Sequence, residues 1–204
     1  MRSTSNIRNL VYIALFAALF IVMSSLEIKL GLPVPITLQT LAVMLAGAFL
    51  SPRNSFLALL LVIALTATGL PLLHGKGGLP YILGPTGGFI FSFPVCALLI
   101  GLAARRLYTS RYLSSRRTAS LIAFFALFLL ASLFIYIPGV AWLKHAANLS
   151  FDKALAGGFY PFIPGDTIKS AVAALLVVSL KGSIVRLQGL TSDDSASTPV
   201  SAGK

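Results

Sequence analysis

Long apolar runs alternate along this chain with short polar or glycine-rich breaks. Six runs read as candidate membrane spans: about Leu10–Leu26, Ile36–Leu50, Ser55–Leu73, Phe89–Ala104, Thr118–Ile137 and Pro164–Leu180. A spanning helix needs roughly 17–25 mostly apolar residues. The pattern predicts an all-α, polytopic bundle over residues 1–186 and a disordered Ser/Thr/Asp-rich tail over 187–204. The second run is short. The stretch before it, Gly31–Pro35 (GLPVP), has two prolines two apart and is expected to be irregular. Part of it should dip into the membrane, where irregular backbone is tolerated only if buried in protein or lining a cavity. Pro138–Ile163 reads as a long connection with a short interfacial helix around Val140–Ala147, bearing Trp142, Lys144 and His145.

The last run breaks the rule that spans exclude charge. The apolar residues after its charges, Ser170–Leu180, are too few to cross alone. The helix must therefore start near Pro164, which places Asp166 and Lys169 inside the span. Proline suits a first helical position and an acid suits the first turn. Three residues apart, the two side chains share one face. A Lys or Asp at the centre of an isolated span costs about 2.5–3.5 kcal/mol. Such a pair belongs where it faces protein or a water-filled cavity. It is either a ligand site or an ion pair that locks the helix to its neighbours.

With 57% hydrophobic and 10% charged residues, the chain departs from soluble domains, which carry about 25% charge. The net charge of +11 is then read by loop rather than as a nucleic-acid signal. Arg2, Arg8, Arg53, the arginines between 105 and 117, Lys181 and Arg186 give one side ten cations; Lys29, Lys76, Lys144 and Lys153 give the other four. Both termini are thus expected in the cytoplasm, with the Gly/Pro-rich loops outside. Arg2 and Arg8 before an apolar run suggest a signal peptide, but no A-x-A-like site follows, so a retained first span is expected.

The segment His74–Gly88 (HGKGGLPYILGPTGG) is the densest motif. Its glycines let backbone approach a ligand and offer N–H groups to an anion. Gly75–Lys76 is not a phosphate loop: position 70 is Leu and position 77 is Gly. Gln39, near Thr37 and Thr40, is placed to bond either a ligand or a neighbouring helix. Ala14 and Ala18 form a small-xxx-small pair. His74 and His145 have no metal-ligand spacing. Cys96 lies in an apolar run as a small core residue. Of the carboxylates Glu27, Asp152, Asp166, Asp193 and Asp194, only Asp166 falls in a span, and no catalytic set is apparent.

Pro33–Arg53 (PVPITLQTLAVMLAGAFLSPR), Gly69–Phe89 (GLP…GGLPYILGPTGGF) and Pro164–Lys169 (PGDTIK), in that order, resemble the BioY family. These are biotin-binding S components of energy-coupling-factor (ECF) vitamin transporters. The resemblance implies a six-transmembrane-helix bundle of the S-component type in the cytoplasmic (inner) membrane. It implies capture of biotin on the outer side and import with a transmembrane coupling protein and two ATPase subunits. ATP is then used only by those partners; the chain itself has no cofactor and is no enzyme. Ala14 and Ala18 become the expected contact with the coupling protein. Leu73–His74–Gly75–Lys76 departs from the family's usual small and aromatic residues, and Phe89 stands where many members have Tyr.

Biotin's chemistry fits these residues: a ureido ring with two N–H donors and a carbonyl, an apolar thiophane ring, and a carboxylate tail. The candidate binding set is Asp166, Lys169, Gln39, Tyr81, His74, Lys76, Gly78, Thr86, Phe89 and Tyr160. In one pose Asp166 accepts a ureido N–H, Lys169 donates to the ureido carbonyl, aromatics wall the ring, and the carboxylate lies under the glycine-rich loop. The reversed pose puts the carboxylate on Lys169. A stand-alone transporter for another small vitamin-like anion is the alternative.

Overall fold

The computed structural model describes residues 2–28, 31 and 33–190. The chain begins with helix α1 (Arg2–Ser25), then a short antiparallel hairpin, β1 (Glu27–Ile28) with β2 (Ile36–Thr37). Glu27 faces Thr37, and Ile28 faces Ile36. Helices α2 (Gln39–Phe49), α3 (Pro52–Ala67), α4 (Leu79–Ile82), α5 (Gly87–Thr109), α6 (Arg111–Ser115) and α7 (Arg117–Ala146) follow. Then come α8 (Phe151–Gly158), a 3-10 turn at Tyr160–Phe162, α9 (Ile163–Ser179) and α10 (Lys181–Leu187). Residues 191–204, most of the expected tail, lie outside the described set. Gln188, also assigned to that tail, is described, and its Nε2 donates to the Ala48 and Leu50 carbonyls (2.9 and 3.1 Å). Helix ends leave such carbonyls without intrahelical partners.

Among the described residues, four stretches are long and apolar enough to cross a membrane: Ile7–Ser25, Gly87–Thr109, Arg117–Ala146 and Phe151–Ser179. The second and third expected spans are shorter helices, α2 and α3. Ile36 and Thr37 are taken into the hairpin, so α2 starts only at Gln39. Gly69, at φ +108, breaks the helical path after Thr68, so α3 does not reach Leu73. Ser51 caps α3, its side chain accepting from the Asn54 amide, and Pro52 opens it.

Pro138 does not end its helix. α7 runs through it to Ala146, and the separate interfacial helix expected over Val140–Ala147 is part of this one element. Proline removes one ladder bond, while Gly139, Val140 and Leu143 continue the buried face. The connection that remains contains α8.

α5 is the central element, with α2, α3 and α7 packed around it. Phe20, Phe93, Phe124 and Phe128 belong to the core they share. α5 and α7 touch where neither has a side chain to separate them. A Cβ on Gly88 would lie 2.5 Å from the Pro138 carbonyl oxygen and 2.3 Å from Trp142 Cβ; one on Gly139 would lie 2.4 Å from the Phe89 ring. Gly88→Ala therefore has backbone, not a yielding side chain, in its way. Overpacking of this kind costs about 1–3 kcal/mol. Thermal unfolding in detergent should show Gly88→Ala melting clearly below the parent. Gly182→Ala, where a Cβ meets nothing within 4 Å, should leave the midpoint close to the parent's.

Candidate binding site

The site is assembled at the start of α9. Pro164 sits in its first turn, and Asp166 follows where the helix dipole favours an acid. Asp166 and Lys169 are 2% and 8% exposed. Lys169 Nζ lies 2.5 Å from Asp166 Oδ1. Nζ also donates to the Thr37 carbonyl (2.9 Å) and to Thr40 Oγ1 (2.8 Å). Thr40 Oγ1 in turn donates to Asp166 Oδ1 (2.9 Å). The Tyr136 hydroxyl donates to Asp166 Oδ2. A buried charge is tolerable when paired and hydrogen-bonded, and both partners meet that condition. All three ammonium N–H groups are committed.

Gln39, 5% exposed, is different. Its Oε1 accepts from Thr37 Oγ1 (3.2 Å), but its buried Nε2 has no partner among the described residues. An orphaned donor at such depth costs about 1–3 kcal/mol.

Asp166, Lys169, Gln39, His74, Thr86 and Phe89 line one cavity, together with Thr37, Thr40 and Tyr136. Val34, Pro35, Ile90, Phe93, Ile135 and Phe162 make its walls apolar. The cavity measures about 50 Å³. One water needs about 10–15 Å³ on this measure, so a bicyclic guest enters only if the lining moves. Val34 and Pro35 belong to the irregular stretch before β2, which does reach protein-buried depth: Val34 is buried.

The other candidates stand apart from this cavity. Tyr81 and Lys76 line a neighbouring hollow of about 280 Å³ that shares His74, Thr86 and Pro35 with it. His74, held at φ 56, places Nδ1 2.5 Å from the Tyr81 hydroxyl. Burial, with a smaller push from Glu27 against the Thr86 hydrogen bond, drives the Tyr81 hydroxyl up to about 12. It therefore stays protonated. Gly78 serves the loop itself: at φ 89 its amide donates to the Thr66 carbonyl (2.7 Å). Tyr160 is 57% exposed and packs on Phe159. Ala14 and Ala18 face outward from α1, while Ala17 and Phe20 point into the core.

Sequence reasoning missed Tyr136, although a tyrosine hydroxyl inside an apolar run needs a partner. It noted Thr40 without giving it a role. No group of three His, Cys, Asp or Glu able to hold a metal occurs among the described residues. The arrangement suits a guest with both an acceptor, for Gln39 Nε2, and donors, for the carboxylate.

A family model described as the BioY family matches residues 1–186. A "biotin transporter BioY" of Rhizobium etli is 41% identical, over 83% of this chain and 90% of that protein. A "probable biotin transporter BioY" of Pyrococcus horikoshii is 39% identical, over 83% and 94%. The crystal structure of an S-component for biotin from an ECF-type ABC transporter superposes with a TM-score of 0.76 at 31% identity. It covers 89% of this chain and 95% of that one.

The network makes a stability test. Lys169→Met leaves the Asp166 carboxylate without its cation, which should cost about 3–5 kcal/mol. Adding Asp166→Asn should restore most of that loss, because a neutral amide no longer needs the ammonium. Thermal unfolding of both variants in detergent measures the difference; a double variant no more stable than Lys169→Met would contradict the pairing.

Proposed function

We propose that this chain, which belongs to the BioY family, binds biotin on the outer face of the cytoplasmic membrane. It then delivers the vitamin inward as the S component of an ECF transporter. The observation that carries the reading is Gln39 Nε2. A buried donor without a partner stands beside a satisfied Asp166–Lys169 pair in an apolar-walled cavity. The ureido carbonyl completes Gln39. A ureido N–H reaches Asp166 Oδ2, which accepts only Tyr136 among the described residues. Lys169 reaches the guest by exchanging the Thr37 carbonyl for the ureido oxygen. Phe89, Phe93 and Phe162 offer the thiophane ring an apolar wall. The carboxylate tail extends toward the hollow that holds Lys76 and Tyr81, with Gly78, Thr86 and His74 around its path and Tyr160 at its rim. Val34 and Pro35 must lift for entry.

In this reading six apolar helices span the membrane, counting the short α2 and α3, and both termini lie in the cytoplasm. The loop charges described above support that orientation. The coupling protein docks on the outward face of Ala14 and Ala18, and two ATPases supply the energy. The chain has no nucleotide motif of its own.

Isothermal titration with biotin tests the site. Asp166→Asn and Lys169→Ala should each weaken binding at least ~30-fold, the scale for unpairing a buried charge. Gln39→Leu should weaken it about tenfold. Unchanged affinities in folded variants would remove these residues from the site. Ala14→Trp with Ala18→Trp should keep biotin affinity yet abolish co-purification with the coupling protein. Uptake into vesicles holding this chain without ATPases would instead favour the stand-alone transporter.

A further inference from the structure

The C-terminal part of α7 and the α8 segment enclose a groove that the binding site does not use. An apolar slot of about 470 Å³ runs between Leu133, Ile137 and Val140 on one side and Leu155 and Phe159 on the other. A polar mouth of about 450 Å³ follows, lined by Lys144, His145 and Asn148. Ala141 and Phe151 line both, so slot and mouth are one groove. Tyr136 is common to the slot and the central cavity.

Length and charge say what fits. Leu133, Ile137, Val140, Ala141 and Lys144 follow helical spacing on one face. At 1.5 Å per residue, Leu133 to Lys144 spans roughly 16 Å. That is about half of a ~30 Å hydrocarbon core, the depth of one leaflet. Ile137 and Phe151, at 71% and 56% exposed, leave the slot open on its outer side. The Lys144 and His145 side chains make no hydrogen bond or ion pair among the described residues. Asp152, next to Phe151, lines neither part. An occupant one leaflet long, apolar at one end and anionic at the other, completes the groove.

We propose that this groove binds one anionic phospholipid, with an acyl chain in the slot against Tyr136 and the phosphate at Lys144, His145 and Asn148. Native mass spectrometry of the full chain in detergent, titrated with phosphatidylglycerol or phosphatidylcholine, tests this. The first phosphatidylglycerol adduct should form about fivefold more tightly than the phosphatidylcholine adduct, the effect of one well-placed lysine. Lys144→Glu should erase that preference, and Lys153→Glu, outside the groove, should retain it. Ala141→Trp should block the first adduct of either lipid at unchanged helical content by circular dichroism. Equal affinity for the two lipids, or a preference that survives Lys144→Glu, would overturn the proposal. So would competition by soluble glycerol phosphate, which would mark a plain phosphate site, or a dimer mass lost in Ala141→Trp, which would give the groove to a second copy.

Discussion

A carboxylate in apolar surroundings has to be satisfied by the protein itself, and here that requirement ties the fold together. Asp166 is held by α2 through Thr40, by α7 through Tyr136 and by its own helix through Lys169. Lys169 also holds β2 through the Thr37 carbonyl. Thr40 accepts from the ammonium and donates to the carboxylate, so one hydroxyl joins both charges. The bonds from α9 to Thr37 and Thr40 reach more than a hundred residues along the sequence, and with the Tyr136 bond they fix α2, α7 and α9 at one depth. Burying an ion pair adds little net stability by itself. Its value lies in the penalty it sets on any packing that separates the three helices.

Packing delivers the side chains to that point. Gly139 lets the Phe89 ring lie against the α7 backbone, and Phe89 then meets Tyr136 edge-on, with centroids 6.3 Å apart. Trp142, one turn beyond Pro138, bonds through Nε1 to the Gly84 carbonyl (2.9 Å) and so ties the glycine-rich segment to α7. That segment divides its work. Around Leu73–Lys76 it is a tight bridged turn carrying His74 toward the cavity. From Gly84 to Gly88 it brings α5 and α7 into contact. Gly87 and Gly88 serve helix approach: a Cβ on either would meet Trp142 of α7.

The parts legible in the sequence were those where a charge or a break contradicted an apolar run. Asp166 and Lys169 stood out because Ser170–Leu180 is too short to span without them, and α9 does begin at Ile163. Ser51 and Pro52 carry a cap signal that the apolar pattern passes over: the third run starts at Ser55, three residues after α3 begins at Pro52. Tyr136 left a weaker trace: a hydroxyl inside an apolar run needs a partner, but the run does not say that the partner is Asp166, thirty residues on. The hairpin was silent: a two-residue strand has no periodicity, and its pairing with Glu27–Ile28 is a tertiary fact. Pro138 misled in the opposite direction. It costs a ladder bond and crowds the preceding turn, yet α7 continues through it, with the close approach to Phe89 of α5 beside it at Gly139.

A satisfied ion pair also constrains what can bind to it. With every N–H of Lys169 engaged, a guest gains there only by exchange, and exchange yields less than filling an empty position. Gln39 Nε2 yields more, because its partner is missing from the start. An anionic tail pushed toward Lys169 would lie beside the Asp166 carboxylate, whose Oδ1 is already 2.5 Å from the ammonium. At such spacing, in a medium of low dielectric, repulsion between like charges removes much of what the cation offers. A neutral group bearing both N–H and C=O meets no such opposition. The proposed pose, with a ureido head against Asp166 and Gln39 and the carboxylate directed away from the pair, follows from that difference.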